Sequence, residues 1–158
     1  YNNMKKIILA FAVILCTAIA ANAQPRAIGL RGCYGLEATY EHNLTNATML
    51  QVELGTQRFQ GLTVRVMHDW VWNINSSSSG DLNWYAGVGV TGGTPAFSAK
   101  TGFLGIAGRA ALEYRFNIPL ELSLDFTPTI GLALGSKAAA FYHDLYTAAI
   151  GLSIRYCF

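Results

Sequence analysis

Apolar residues recur at every second position through most of this chain, and a period of two marks β-strands whose two faces meet different surroundings. Seven runs carry the pattern. In 28–41, Ile28, Leu30, Tyr34, Leu36, Ala38 and Tyr40 alternate with Arg31, Cys33, Glu37, Thr39 and Glu41. In 48–57, Leu50, Val52 and Leu54 oppose Gln51 and Glu53; in 61–74, Leu62, Val64, Val66, Trp70 and Trp72 oppose Thr63, Arg65, Met67 and Asp69. In 82–91, Leu82, Trp84, Ala86, Val88 and Val90 face away from Asn83, Tyr85, Gly87 and Gly89. In 103–116, Leu104, Ile106, Ala110, Leu112, Tyr114 and Phe116 oppose Gly105, Ala107, Arg109, Glu113 and Arg115. In 120–130, Leu120, Leu122, Leu124 and Phe126 oppose Glu121, Ser123, Asp125 and Thr127, and Pro128 loosens the pairing because it has no N–H to donate. In 145–158, Ala148, Ile150, Leu152, Ile154, Tyr156 and Phe158 oppose Gly151, Ser153, Arg155 and Cys157. The stretches 42–46, 58–60, 75–80, 92–102, 117–119 and 131–144 read as turns and loops.

The runs are about 10 to 14 residues long, the length a tilted strand needs to cross a bilayer and about twice that of an ordinary soluble strand. Charge placement separates the two faces. Arg31, Glu37, Glu53, Arg65, Asp69, Arg109, Glu113, Arg115, Glu121, Asp125 and Arg155 all fall on the less apolar face; no Asp, Glu, Lys or Arg within a run falls on the apolar face, where His68 is the one awkward residue. The expected fold is all-β: an antiparallel up-and-down transmembrane β-barrel of eight strands, seven of them clear in the pattern. A small barrel of this size is just wide enough for side chains to fill. Five Arg and six Asp/Glu at inward positions are therefore expected to pair with one another as a lumen charge network, because buried charges are costly unless paired.

Composition supports an apolar surrounding. Only 13% of the 158 residues are charged, against 52% hydrophobic, and a soluble domain carries about 25% charged residues. A soluble secreted ligand-binding barrel, with apolar residues inside and charges outside, also alternates; it is the alternative that the long apolar stripes and scarce charges disfavour. With strands alternating in direction, Tyr40, Trp70, Trp72, Trp84, Tyr114, Phe116, Tyr156 and Phe158 come to one end of the barrel on its apolar face. That is the expected placement of an interfacial aromatic girdle, on the periplasmic side.

The first 23 residues read as a leader. Met4-Lys5-Lys6 is a basic start, 7–19 is an apolar stretch too short to span a bilayer, and Ala21-Asn22-Ala23 is a cleavage motif, so residues 24–158 are the expected mature barrel. Leu15 before Cys16 does not fit a lipidation signal. Cys33 and Cys157 both fall on the lumen face at different depths, so free thiols are expected. No basic face suggests nucleic acid as a partner, and no ligand cluster or phosphate-cradling motif suggests a metal or other cofactor. A lipid-modifying enzyme would need a nucleophile and base at one site. The candidates are His68 and His143, but His68 and its neighbour Asp69 point to opposite faces of a strand, and His143-Asp144 has no nearby Ser. No catalytic residues are expected.

The closing Ile150-Gly151-Leu152-Ser153-Ile154-Arg155-Tyr156-Cys157-Phe158, with Trp84-Tyr85-Ala86-Gly87-Val88-Gly89-Val90 and Leu112-Glu113-Tyr114-Arg115-Phe116, resembles the small outer-membrane β-barrel proteins of the OmpX/OmpA transmembrane type. The resemblance implies an even strand count, usually eight, the eighth strand coming from 24–31 or from the region of Phe141-Tyr142. It implies residence in a bacterial outer membrane after export, with outer-membrane lipid as the surroundings. It also implies that Ile150, Leu152, Ile154, Tyr156 and Phe158 form the signal read by the barrel-assembly machinery. A structural or interaction role is the expected function.

Overall fold

A computed structural model describes residues 24–57, 59–94, 101–135, 139–145 and 149–158. The leader and its cleavage motif lie outside the described residues. The strands are β1 (Gln24–Cys33), β2 (Gly35–Asn43), β3 (Thr48–Gln57), β4 (Gly61–Ser77), β5 (Gly80–Thr94), β6 (Gly102–Phe116), β7 (Leu120–Phe126), β8 (Thr129–Leu134), β9 (Ala139–Asp144) and β10 (Ile150–Cys157). All pairings are antiparallel between neighbours, β1 pairs with β10, and the β5–β6 pairing joins the ladder into a closed barrel.

The ten strands occupy eight wall positions. β7 and β8 share one, because both lie along β6 in a single unbroken register: Leu124 faces Leu112 and Ile130 faces Ile106. Between them Gly108 N donates to Pro128 O at 3.0 Å. Pro128 cannot return that bond, so the ladder thins there without the strand leaving the wall. β9 and β10 share the next position, beside β8 and β7, and their registers against those strands differ: Asp144 faces Thr129 and Ile150 faces Phe126.

The first run is two strands rather than one. The chain reverses at Tyr34, with Cys33 paired to Gly35 and Arg31 to Glu37. The reversal is invisible in the alternation because partners in this register share parity, so even-numbered residues stay outside on both arms. Residues 24–33 supply a full first strand, and the region of Phe141 lies in strand as well. The stretch 131–144, read as loop, holds the end of β8 and all of β9. The 75–80 loop is smaller than expected: β4 continues to Ser77 and the turn is Ser78-Ser79. Gly80 follows it at φ 152°, and a Cβ there would collide with Arg115 O, so a side chain is excluded on both counts.

One end of the barrel, the terminal end, carries Gln24, Phe158 and the turns at 44–47, 78–79 and 117–119; the distal end carries the reversal at Tyr34 and the ends at which β3 leads to β4, β5 to β6 and β8 to β9. At the terminal end Cys157 N donates to Pro119 O at 3.2 Å and Phe158 N to Arg26 O at 3.1 Å, which ties the last residues to both neighbours. Paired residues run from Leu30 through Ala38, Leu54, Val64, Gly92, Leu104 and Leu132 to Phe141. Leu30 itself pairs with Ile154. Once the register difference between β9 and β10 is removed, one circuit climbs by a stagger of about ten residues, so the strands are strongly tilted, as barrel closure requires. The rim at the distal end therefore rises around the barrel, from the low β1–β2 reversal to the high β8–β9 hairpin.

Candidate functional site

The concentrated chemistry of this molecule lies inside the barrel. Five arginines (Arg26, Arg31, Arg65, Arg109, Arg155) and seven carboxylates (Glu37, Glu41, Glu53, Asp69, Glu113, Glu121, Asp125) are buried there among the described residues. The β-period delivers most of them, since a strand sends alternate residues to the same face; Arg26 is the exception.

In the distal half they form a closed ring. Arg31 on β1 grips Asp125 on β7 through Nε–Oδ2 at 2.9 Å and Nη2–Oδ1 at 2.5 Å, a bidentate pair. Its Nη1 donates to Glu37 on β2 at 2.7 Å. Glu37 also accepts from Arg65 on β4 at 3.3 Å, and Arg65 donates to Glu53 on β3. Glu53 accepts from Arg109 on β6 at 2.5 Å. Arg109 Nε donates to Thr127 Oγ1 at 3.0 Å, and Thr127 returns to Asp125 at 2.7 Å. The ring ties six wall positions together. Gln51 accepts from Arg109 Nη1 at 2.6 Å and braces it.

In the terminal half, Arg155 on β10 donates to Glu121 at 3.0 Å, Ser123 at 2.7 Å and Thr39 at 3.0 Å, and lies 3.2 Å from Glu41. Arg26 reaches across the barrel to Glu113, which also accepts from Asn83 at 2.9 Å. Glu41, Glu113 and Glu121 bring one oxygen each within 4.8 Å of one another, and Arg26 and Arg155 stand between them. Their charge is thus compensated by guanidinium groups, which leaves the trio poorly suited to hold a metal ion. Neither oxygen of Glu41 or of Asp69 has a hydrogen-bond partner; Glu41 has Arg155 at 3.2 Å, whereas the nearest guanidinium to Asp69, Arg109, is 3.7 Å away.

Of the eleven charges assigned to the interior from the pattern, ten are buried there and Arg115 stands partly exposed at the terminal mouth, 3.6 Å from Glu121. Two buried charges were missing from that set. Glu41 shares the parity of Glu37 and Thr39, and the alternation alone points it inward. Arg26 has the wrong parity: the register shifts between Pro25 and Ala27, and this bulge turns both Arg26 and Ala27 inward.

The outer wall has the opposite character. Leu30, Leu54, Val64, Val88, Leu104, Ile106, Leu124 and Leu152 are all exposed, so the apolar surface runs around the barrel. The eight aromatic residues Tyr40, Trp70, Trp72, Trp84, Tyr114, Phe116, Tyr156 and Phe158 all lie toward the terminal end of their strands. Trp72 stacks on Trp84 with centroids 4.5 Å apart, and the pairs Tyr114–Phe116 and Tyr156–Phe158 meet edge to face. His68 packs on Trp70 at 4.6 Å on this outer surface, whereas Asp69 is fully buried inside, so the two do not meet. His143 lies on β9 beside Phe141, in strand rather than loop. Cys33 and Cys157 are free and half-buried, at opposite ends of the barrel.

No protein-family model matches the chain, and no curated protein or solved structure matches it.

Proposed function

We propose that the protein is an integral outer-membrane β-barrel with a structural or interaction role, its lumen closed by the ionic network. The observation that carries this reading is the inversion of polarity across the wall: charges ion-paired inside, apolar side chains exposed all round. In water an exposed surface of that extent drives association. In hydrocarbon it is the favourable arrangement, and a closed barrel is one of the two backbone architectures that leave no hydrogen-bonding group facing lipid. The aromatic belt at the terminal end suits a membrane interface. The leader pattern and the alternating C-terminal stretch ending in Phe158 support export and assembly in a bacterial outer membrane, in keeping with the likeness to the OmpX/OmpA transmembrane type. The barrel-assembly machinery is the proposed partner during biogenesis, and the terminal end is proposed to face the periplasm. The role proposed needs no cofactor and no catalytic group. The ring of Arg31, Glu37, Arg65, Glu53, Arg109 and Asp125 fills the bore, so the interior serves to hold the wall rather than to pass solutes.

Labelling of single cysteines at Leu122 and Ser123, in a background lacking Cys33 and Cys157, tests the reading. In membranes, Leu122→Cys is expected to react with a lipid-soluble thiol reagent and not with a water-soluble one. A water-soluble protein whose Leu122→Cys reacts with the aqueous reagent would overturn it.

A further inference from the structure

Among the described residues, every strand but one has a strand on each side; β9 pairs with β8 alone. The cause is the early reversal at Tyr34. β1 runs beside β10 only as far as Gly32, opposite Leu152, and the chain then turns back into β2. β9 continues the line of β10 beyond that level, so neither arm of the β1–β2 hairpin rises beside it. Its far edge borders a notch in the distal rim, two strand positions wide, with the reversal at Tyr34 as its floor. No turn or loop among the described residues covers the edge, because no backbone hydrogen bond outside the β8 ladder reaches 139–144.

An edge of this kind is a row of unpaired backbone donors and acceptors, a template for one more strand. Half of the six residues of β9 turn N–H and C=O away from β8. Lys, Pro or a bulge shields many edges from pairing. Ala139-Ala140-Phe141-Tyr142-His143-Asp144 contains no Lys and no Pro, and its register with β8 is unbroken. Phe141 and His143 stand exposed on the outer face of the edge with ring centroids 5.8 Å apart, a ledge for the side chains of an added strand.

The edge is also within reach of water. A stagger of about ten residues per circuit, at a rise of about 3.3 Å per residue and a tilt of about 40°, lifts Phe141 about 25 Å above Ile154 on the same wall position. Ile154 lies two residues inside the aromatic belt, and the apolar band of such a barrel is about 25 Å tall. Phe141 therefore stands at the far boundary of the band, where a polypeptide on the distal side can approach β9.

We infer that the free edge of β9 is a docking site for an extended segment of a different protein on the distal side of the membrane, which adds itself as a strand beside β9 with an apolar side chain against Phe141. The inference rests on the membrane reading and deepens it by naming the kind of partner. In this mode backbone hydrogen bonds supply affinity and alternate side chains supply selectivity. A second copy of the chain does not fit. Antiparallel pairing of one edge with itself needs a two-fold axis normal to the sheet, since the same patch must meet itself. For a barrel wall that axis lies in the membrane plane, and it would turn one of the two barrels upside down.

The test is fluorescence anisotropy with the full chain in mild detergent. The probe is a labelled eight-residue peptide of alternating threonine and valine, compared with the same peptide N-methylated at every residue, which keeps the side chains and loses the donors. Ala140→Pro and Phe141→Pro are measured beside the unsubstituted protein. Consecutive residues turn their N–H groups to opposite edges, so one of these variants loses a donor on the free edge and keeps the ladder to β8. Heat-modifiable gel mobility and circular dichroism check that each is folded. The probe is expected to bind one per chain, the N-methylated form at least tenfold more weakly, and at least one folded proline variant to bind the probe at least tenfold more weakly than the parent. Absence of binding to the parent overturns the docking site, and so does equal binding of the N-methylated peptide or undiminished binding by both folded variants. A dimer that excludes the probe and that Phe141→Pro converts to monomer overturns the choice of partner. If the protein fractionates as soluble and never enters membranes, the membrane reading itself fails, an outcome separable from the peptide results.

Discussion

Ser123 and Leu124 are neighbours on β7, yet Ser123 is 2% exposed and Leu124 is 53% exposed. The same contrast holds around the whole barrel. The inner face is polar, fully packed and cross-linked by charge; the outer face is apolar and makes few contacts beyond its own strand neighbours. The two faces therefore fail differently when altered. Inside, each side chain answers to partners on other strands, so removing one strands the rest. Outside, each side chain answers mainly to the solvent the barrel sits in, so only a change of polarity or a loss of shape is felt.

The largest effect is expected from the inner ring. Arg109→Met removes one of the two arginines on Glu53, the arginine donor to Gln51 and the nearest cation to Asp69, and breaking a buried ionic network from one side costs about 3–5 kcal/mol. Urea unfolding in lipid vesicles measures it; a loss under about 1 kcal/mol would show that the ring does not hold the wall. On the outer face, Leu124→Arg places a charge in the middle of the apolar band, with a cost of about 2–4 kcal/mol in a bilayer. Should that variant be as stable in vesicles as the parent, the outer face does not meet lipid. Gly87→Ala is expected to cost about 1–3 kcal/mol because its Cβ would collide with Asp69. Gly108→Ala, on the outer face with open space around it, is expected to stay within about 0.5 kcal/mol. Equal costs for the two glycines would remove the contrast between a packed interior and an open exterior. Smallest, and opposite in sign to Arg109→Met, is Asp69→Asn: seven buried carboxylates face five buried arginines, and both Asp69 oxygens lack a hydrogen bond, with the nearest cation 3.7 Å away. Removing its charge is expected to raise stability by up to about 1 kcal/mol. A clear loss would mean that Arg109 depends on Asp69 as much as on Glu53.

Much of this was legible before any coordinates. The alternation assigned Arg31, Glu37, Glu53, Arg65, Asp69, Arg109, Glu113, Glu121, Asp125 and Arg155 to one face, because a strand sends neighbours to opposite sides regardless of where it pairs. It also brought the eight aromatic residues to one end. Its errors have separate local causes. The reversal at Tyr34 preserves parity and left β1 and β2 fused in one run. The bulge at Pro25 breaks parity and hid Arg26. The stretch 131–144 is rich in Gly and Ala, so its alternation is faint, and β8 and β9 are held as strand by pairing with β6 and with each other rather than by their own residues.

The sequence by itself determined the period, hence the division of every strand into a charged face and an apolar one, and with it the class of fold. Only the tertiary structure decided who meets whom. Arg31 and Asp125 are far apart in the chain, and their bidentate contact exists because closure places β1 and β7 on either side of β10, where the two side chains meet over Gly151. The ring through Glu37, Arg65, Glu53, Arg109 and Thr127 depends on the stagger of the closed circuit. Alternation is a local steric rule and can be read from neighbours; stagger is a property of the closed circuit, set by all eight wall positions at once.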